Sequence, residues 1–133
     1  MLEKTRLNNG KSNMTKRFSL AALFLACLLV AGVARADQML DGEQIRATLS
    51  GNTVSGTMTE FGPYTEFYAP DGAVRSEHQK GTWKVEGDTV CFTFDGNDAG
   101  CWHVGMNGDM LQWFQDGELL GSGKVEAGNP HGL

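Results

Sequence analysis

The sequence has few basic residues beyond its first 36 positions. Residues 1–36 hold six of the 11 Lys and Arg residues and only one of the 16 Asp and Glu residues. Residues 37–133 therefore carry five basic and 15 acidic side chains, a formal balance of −10. A chain this acidic repels phosphate backbones and anionic lipid headgroups. The charge thus argues against nucleic acid and membrane surfaces as ligands.

Long apolar runs are also scarce, and the one present lies near the N-terminus. Residues 18–33 contain no charge, but about 16 residues are few for a membrane-spanning helix, which needs about 20. The basic pair Lys16-Arg17 precedes the run, and the small-x-small triplet Ala34-Arg35-Ala36 follows it. These features predict a secretory signal peptide that is cleaved before Asp37. A retained membrane anchor is the alternative.

A lipoprotein signal is a further alternative, because Cys27 lies inside the apolar run. The residues before Cys27 match the lipidation pattern poorly, and the run continues past it, so we favour cleavage after Ala36. Residues 1–36 are then an N-terminal extension and signal peptide, with Met14 as an alternative start. Residues 37–133 form a single small domain, exported to a bacterial periplasm or secreted.

Cysteine is rare, with three residues in the chain, and only Cys91 and Cys101 remain after cleavage. An exported pair normally closes into a disulfide. The flanking residues alternate like strands, and the turn-forming residues 95–100 separate them. A hairpin folded about residue 96 places the two cysteines opposite each other, close to the spacing of a disulfide. Closing so short a loop contributes roughly 3 kcal/mol in the chain-entropy model.

Other uses of this pair fit less well. A structural zinc site needs four ligands, and adding His78 and His103 gives no recognised spacing. The sequence has no Cys-x-x-Cys redox motif. A calcium loop beginning at Asp95 lacks the required residues at its fifth and twelfth positions. We predict no metal and no cofactor.

The pattern predicts one helix followed by short strands. Asp41 is a good N-cap, with Gln44 at the capping-box position, so the helix is expected over roughly 42–50. Eight strand-like runs follow, separated by Gly, Asn and Asp turn signals. Such hairpins form an antiparallel up-and-down β-barrel, with the helix covering one end or side. A two-sheet β-sandwich is the alternative. The predicted strands are 53–58, 64–69, 74–79, 81–86, 89–94, 101–106, 110–115 and 118–126.

Alternation along the strands assigns an inner and an outer face. Cys91, Thr93, Cys101 and His103 are expected to point outward, so that a disulfide there leaves the core undisturbed. Large aromatic residues are expected inside, where they either fill the core or line a ligand pocket, and a chain this short favours the core. The aromatic set is Phe67, Trp83, Phe92, Phe94, Trp102 and Trp113.

Four segments together resemble a family of small exported proteobacterial proteins of uncharacterised function. They are Leu49-Ser-Gly-Asn-Thr-Val-Ser-Gly56, Glu66-Phe-Tyr-Ala-Pro-Asp-Gly72, Gly81-Thr-Trp83, and Asp88-Thr-Val-Cys-Phe92 with Cys101. The resemblance covers most of 41–128 and implies a fold, without catalytic residues. Gly81-Thr-Trp83 is also similar to the Gly-x-Trp of lipocalins. In lipocalins that motif lies on the first strand, so a mid-chain position implies likeness of architecture only.

Three functions are compatible with these features. The barrel is a carrier of one small apolar ligand, or it binds an envelope protein, or it is an enzyme. The enzyme is the least favoured, since no catalytic triad or oxyanion hole accompanies the candidate acid, base and nucleophile residues. Tyr64, Glu66 and Tyr68 alternate on one strand face, which is either a platform for sugars or cations or a partly exposed face. The catalytic candidates are Glu66, Ser76, Glu77, His78 and His103.

Overall fold

The structure is a computed structural model, and it describes residues 38–133. The predicted N-terminal extension and signal peptide lie outside the described residues. The elements are β1 (Gln38–Met39), α1 (Gly42–Leu49), β2 (Asn52–Met58), β3 (Gly62–Tyr68), β4 (Ala73–Arg75), β5 (Lys80–Glu86), β6 (Thr89–Phe94), β7 (Asn97–Asn107), β8 (Met110–Gln115) and β9 (Glu118–Ala127).

Eight of the strands form a closed antiparallel barrel. From β2 to β9 each strand pairs with its neighbour in sequence, and β9 pairs with β2 to close the ring. The additional strand β1 pairs with β7, where Met39 lies opposite Gly105. The predicted up-and-down barrel is therefore confirmed, and the two-sheet sandwich is not needed.

Two predicted boundaries differ from the structure by more than two residues. The predicted strand 74–79 ends at Arg75, because Ser76 and Gln79 close a turn in which the Ser76 N–H donates to the Gln79 carbonyl at 2.8 Å. The predicted loop 95–100 is mostly strand. Its turn is only Asp95-Gly96, whose φ angles of 49° and 79° fit the primed turns of tight hairpins. Strand β7 thus begins at Asn97 and takes up the extra residue as a bulge.

The helix α1 closes one end of the barrel. The predicted capping box is present: the Gln44 N–H donates to Asp41 Oδ1 at 2.8 Å, and the Asp41 N–H donates to Gln44 Oε1 at 2.9 Å. Ile45 and Leu49 are fully buried, and α1 packs on β2, β5 and β6. Within residues 38–133, no helix is long and apolar enough to cross a membrane.

The core fills the half of the barrel next to α1. Its buried aliphatic side chains face inward from β2, β4, β6, β7 and β8, while Tyr68 of β3 is fully buried and Val125 of β9 packs against the cluster. Trp83 also lies here, and its Nε1–H donates to the Ala69 carbonyl at 3.0 Å. This end of the barrel is therefore a packed floor.

The cysteines form a disulfide across the β6–β7 hairpin. Cys91 and Cys101 are directly opposed in the register, with their Cα atoms 4.0 Å apart and their sulfur atoms 2.04 Å apart. The bond lies on the outer face of the barrel. Cys101 is exposed, but Cys91 is buried, because Glu86 and Thr89 lie against its sulfur at 3.3 and 3.9 Å. The disulfide joins the two strands that carry Phe92, Phe94 and Trp102.

Candidate functional site

The end of the barrel opposite α1 is open. Four hairpin connections, β2–β3, β4–β5, β6–β7 and β8–β9, surround a cavity of about 1400 Å³. We call this cavity the cup. Its inner wall is built from Tyr64, Glu66, Phe92, Phe94, Trp102 and Trp113. The residues come from four strands, β3, β6, β7 and β8, so the barrel itself holds them in place.

The cup also has an opening in its side, between β3 and the β4–β5 turn. Strands β3 and β4 share only two residue pairs, Phe67–Arg75 and Tyr68–Val74. Residues 62–66 of β3 pair with β2 along their other edge. The cavity continues through this gap to the outer surface beside Thr65, His131 and Leu133. Glu66 lies on the inner wall of the cup at the part of β3 that borders this gap.

Polar atoms on β3 point into the cup. Tyr64, Glu66 and Tyr68 share the inward face of that strand, since Tyr68 belongs to the core. The Trp113 Nε1–H donates to the Tyr64 hydroxyl at 2.6 Å, and the Tyr68 hydroxyl donates to Glu66 Oε2 at 2.7 Å. The alternation seen in the sequence thus places all three residues on the inner face of the barrel, where Tyr64 and Glu66 are partly exposed and Tyr68 is buried.

Two glycines make room for this arrangement. Tyr64 lies opposite Gly56 on β2, and Gly56 lies opposite Gly123 on β9. A Cβ on Gly123 would lie 2.5 Å from the Tyr64 hydroxyl. The tyrosine can therefore span two strands and reach Trp113 only because position 123 has no side chain.

The carboxylate of Glu66 is largely buried and lacks a basic partner. The ion pairs among residues 38–133 are His78–Glu77, Lys84–Glu86 and His131–Glu126, and none includes Glu66. Burial raises the pKa of Glu66 above its usual 4.5, and the hydrogen bond from Tyr68 opposes part of that rise. The wall thus holds one acidic group whose charge the described residues do not neutralise.

Both tyrosines remain protonated at neutral pH. Burial raises the pKa of Tyr64 to about 12. Burial, and then the charge of Glu66, raises the pKa of Tyr68 well above its usual value. Each hydroxyl therefore keeps its proton. The Tyr68 hydroxyl donates a hydrogen bond to Glu66. The Tyr64 hydroxyl accepts from Trp113 and can donate a hydrogen bond to a ligand.

Aromatic rings surround this polar group. The ring centroids of Tyr68, Phe92 and Trp113 lie 5.9 to 6.4 Å from one another. Phe94 stacks on Phe92 at 6.0 Å nearer the rim. These separations are typical of favourable aromatic pairs. The cup can therefore hold an apolar body against its wall and a polar head at β3.

The structure divides the predicted aromatic set. Phe92, Phe94, Trp102 and Trp113 line the cup, whereas Trp83 lies in the packed floor. Phe67, expected inside, lies on the outer face, because it alternates with the buried Tyr68. There the Arg75 guanidinium carbon lies 5.9 Å from its ring centroid.

The catalytic candidates are dispersed. Ser76, Glu77 and His78 lie in the β4–β5 turn at the rim, where the Ser76 hydroxyl accepts the Gln79 N–H at 3.0 Å. His78 Nε2 is 3.8 Å from Glu77 Oε2, with both side chains more than 80% exposed. His103 is exposed on the outer face of β7. Of this set, only Glu66 is part of the inner wall.

Comparison of the chain with protein-family models, with curated proteins and with solved structures finds no match. The resemblance to small exported proteobacterial proteins and to lipocalin architecture therefore stays a prediction. A function for this chain rests on the contacts, burial and charges of the cup.

The burial of Glu66 predicts a pH dependence of stability. Because its pKa is raised in the folded protein, the folded state keeps a proton that the unfolded chain has already released. The stability contributed by this proton is present below the unfolded pKa and is lost as the pH rises through the folded pKa. We therefore expect wild type to lose stability relative to Glu66→Gln as the pH rises from about 4.5. The difference becomes constant once Glu66 is ionised in both states.

The measurement is urea unfolding of both proteins from pH 4 to pH 8, followed by tryptophan fluorescence. Glu77→Gln is the matched control, since it removes the same charge from an exposed rim position. Its curve should run parallel to that of wild type. If the Glu66→Gln and wild-type curves also stay parallel, the carboxyl of Glu66 is not buried in the way described.

Proposed function

We propose that this protein is a non-catalytic binding protein that holds one small molecule in the cup. The observation that carries the proposal is the shape of the barrel, closed by α1 and a packed floor at one end and open at the other. Eight-stranded barrels of this kind hold one small ligand in their mouths. The wall supplies aromatic surface for an apolar body and a few convergent polar groups for orientation.

The size of the cup supports a ligand of ordinary small-molecule dimensions. Ligand sites commonly measure about 300–1,000 Å³. The cavity of about 1400 Å³ includes the rim and the side opening, so the enclosed part is smaller than this. The chain is short, yet it leaves this space unfilled because its core occupies only the end next to α1.

The disulfide supports a wall that is rigid before a ligand arrives. Cys91 and Cys101 join β6 and β7 on the outer face, directly behind Phe92 and Trp102. A preformed site binds more tightly, because less conformational freedom is lost on binding. The disulfide and the predicted signal peptide together support an oxidising location, the periplasm or the exterior of a bacterium.

A role in binding another protein is the second candidate. Phe61 in the β2–β3 connection is 77% exposed, and Leu119 near the start of β9 is 46% exposed. Both lie at the open end, where the Thr59 N–H of the β2–β3 connection donates to the Leu120 carbonyl of β9 at 2.8 Å. Two exposed apolar side chains at the rim suit contact with a protein that delivers or receives the ligand.

The test is a titration with the neutral apolar dye N-phenyl-1-naphthylamine, which brightens when it leaves water. We expect saturable binding of one dye per chain, and about a two- to tenfold loss of affinity in Phe94→Ala, an amount typical of losing one aromatic contact. Phe67→Ala is the control, since it removes the same side chain from the outer face, and its affinity should equal that of wild type. Absence of saturable binding to wild type, or equal loss in both variants, contradicts a ligand-binding cup.

A further inference from the structure

We propose that the ligand of the cup is an organic ammonium ion, with its charged amine at Glu66 and its apolar body against Phe92 and Trp113. This inference rests on the proposed function, because it names the class of molecule that the same cavity takes. Its central observation is the position of Glu66 in an otherwise aromatic wall.

The carboxylate of Glu66 is accessible from the cavity, and an ionic partner would stabilise it. Its Oε2 accepts a single hydrogen bond, from Tyr68, and Glu66 itself lines the cavity. The ion pairs among residues 38–133 are those of His78, Lys84 and His131 with other acids, and none includes Glu66. A partly desolvated carboxylate without a partner is costly, and a charge-assisted hydrogen bond from an ammonium group removes much of that cost.

The surrounding rings suit the same ligand. A cation is attracted to the face of a Trp, Tyr or Phe ring within about 6 Å, and more strongly where water is excluded. Tyr64 and Tyr68 flank Glu66 on β3. Phe92 and Trp113 complete the ring around Tyr68 at 6.1 and 6.4 Å. The carboxylate and the rings together form a site that favours a positively charged ligand group over a neutral one.

The rim adds a longer-range attraction. Every hairpin connection or strand end at the open end carries a carboxylate, and the whole chain is acidic. Such a field concentrates cations at a cleft and repels anions. The rim acids are Glu60, Glu77, Asp95, Asp98, Asp116 and Glu118.

A bare metal ion fits the cup less well. Hard cations such as Ca²⁺ require six or more oxygen ligands, several of them carboxylates. Glu66 is the one carboxylate on the inner wall among the described residues, and its neighbours there are aromatic. An amine needs only one acidic partner and gains from the rings, so the composition of this wall favours the organic cation.

The experiment uses three probes with the same ten-carbon chain and different heads: decylamine, decan-1-ol and decanoate. Each displaces N-phenyl-1-naphthylamine from the full chain at pH 7.5. In wild type we expect decylamine to bind at least about tenfold more tightly than decan-1-ol, and decanoate to bind most weakly. In Glu66→Gln the amine should lose about tenfold or more in affinity, while the alcohol stays within about twofold.

Glu43→Gln is the matched control, because it removes an exposed carboxylate from α1 at the closed end of the barrel and leaves the cup intact. Amine affinity in this variant should stay within about twofold of wild type. A second measurement needs no variant. In wild type, amine affinity should fall as the pH is lowered and Glu66 takes up a proton, whereas alcohol affinity should not change.

The outcomes separate the two proposals. If the dye and all three probes fail to bind wild type, the binding function itself is overturned. If amine and alcohol bind equally to wild type, the cup binds neutral ligands and the ammonium inference alone is overturned. The same holds if amine preference survives in Glu66→Gln but falls in the rim variant Glu77→Gln, since the rim would then supply the selectivity.

Discussion

Replacing Gly56 with valine is expected to abolish the folded barrel. Gly56 lies on β2 at the seam with β9, and a Cβ there would overlap the carbonyl oxygen of Ser122 and the Cα of Gly123. Both obstacles are backbone atoms, so no side-chain rotation relieves the overlap. The two strands must move apart, and the seam that closes the ring is lost. We expect a loss of at least about 4 kcal/mol, which is most of the stability of a small domain.

Far-UV circular dichroism and urea unfolding of the purified variant measure this effect. Thr57→Val is the matched control, because it places the same side chain one position along β2, on the exposed outer face. Its stability should change by less than about 0.5 kcal/mol. A Gly56→Val protein that unfolds at the wild-type urea concentration would show that the β2–β9 seam is not packed as described.

The second large effect is expected for Trp83→Ala. Trp83 is 7% exposed in the floor beneath the cup, and its ring centroid lies 5.9 Å from that of Tyr68. Truncation removes a large buried ring and leaves the Ala69 carbonyl without its indole donor. Buried tryptophans replaced by alanine cost about 3–5 kcal/mol, so we expect a loss in that range.

Two further variants identify the source of this loss. Trp83→Phe keeps most of the ring but removes the bond to Ala69, and it should cost about 1–3 kcal/mol. Trp102→Ala removes the same side chain from the partly exposed wall of the cup, and it should cost less than Trp83→Ala. The measurement is urea unfolding followed by circular dichroism. Equal losses at positions 83 and 102 would mean that the floor and the wall are equally packed.

The barrel itself was predictable because its signals are local. Asp-Gly and Asn-Gly pairs fix tight hairpins, and the runs between them alternate strictly. The helix was predictable for the same reason, since Asp41 and Gln44 satisfy each other within one turn. The disulfide was predictable from the pair of cysteines left in an exported chain and from hairpin geometry. The bulge in β7 offsets the shorter spacing on the β6 side of the turn, so Cys91 and Cys101 are directly opposed.

The β3 side of the cup was not predictable, because the inward face of β3 is decided by pairing with distant strands. Residue hydrophobicity favours Phe67 inside and Glu66 outside, and the structure has the reverse. Tyr64 and Tyr68 determine which face of β3 points inward. The large ring of Tyr68 packs in the floor, and the Tyr64 hydroxyl accepts a hydrogen bond from Trp113. A one-residue choice of this kind exchanges every side chain on a strand between the two faces.

The side opening also escaped prediction. Residues 74–79 alternate well enough to suggest a full strand, but Ser76 bonds to Gln79 and ends β4 at Arg75. Serine hydroxyls compete with strand hydrogen bonds in this way. The result is the gap between β3 and the β4–β5 turn, which the alternation of residues in the sequence does not predict.

The closure of the ring by its first and last barrel strands has a consequence for folding. Every other strand pair in the barrel joins neighbours in sequence, and such hairpins form within about 1–10 μs. The seam instead joins Asn52 to Ala127, and long-range contacts of this kind slow folding. A chain that emerges with its N-terminus first must carry β2 with an unpaired edge until β9 arrives, and free edges invite aggregation. The pairing of β9 with β2 therefore determines when the chain no longer exposes a free strand edge to other copies of itself.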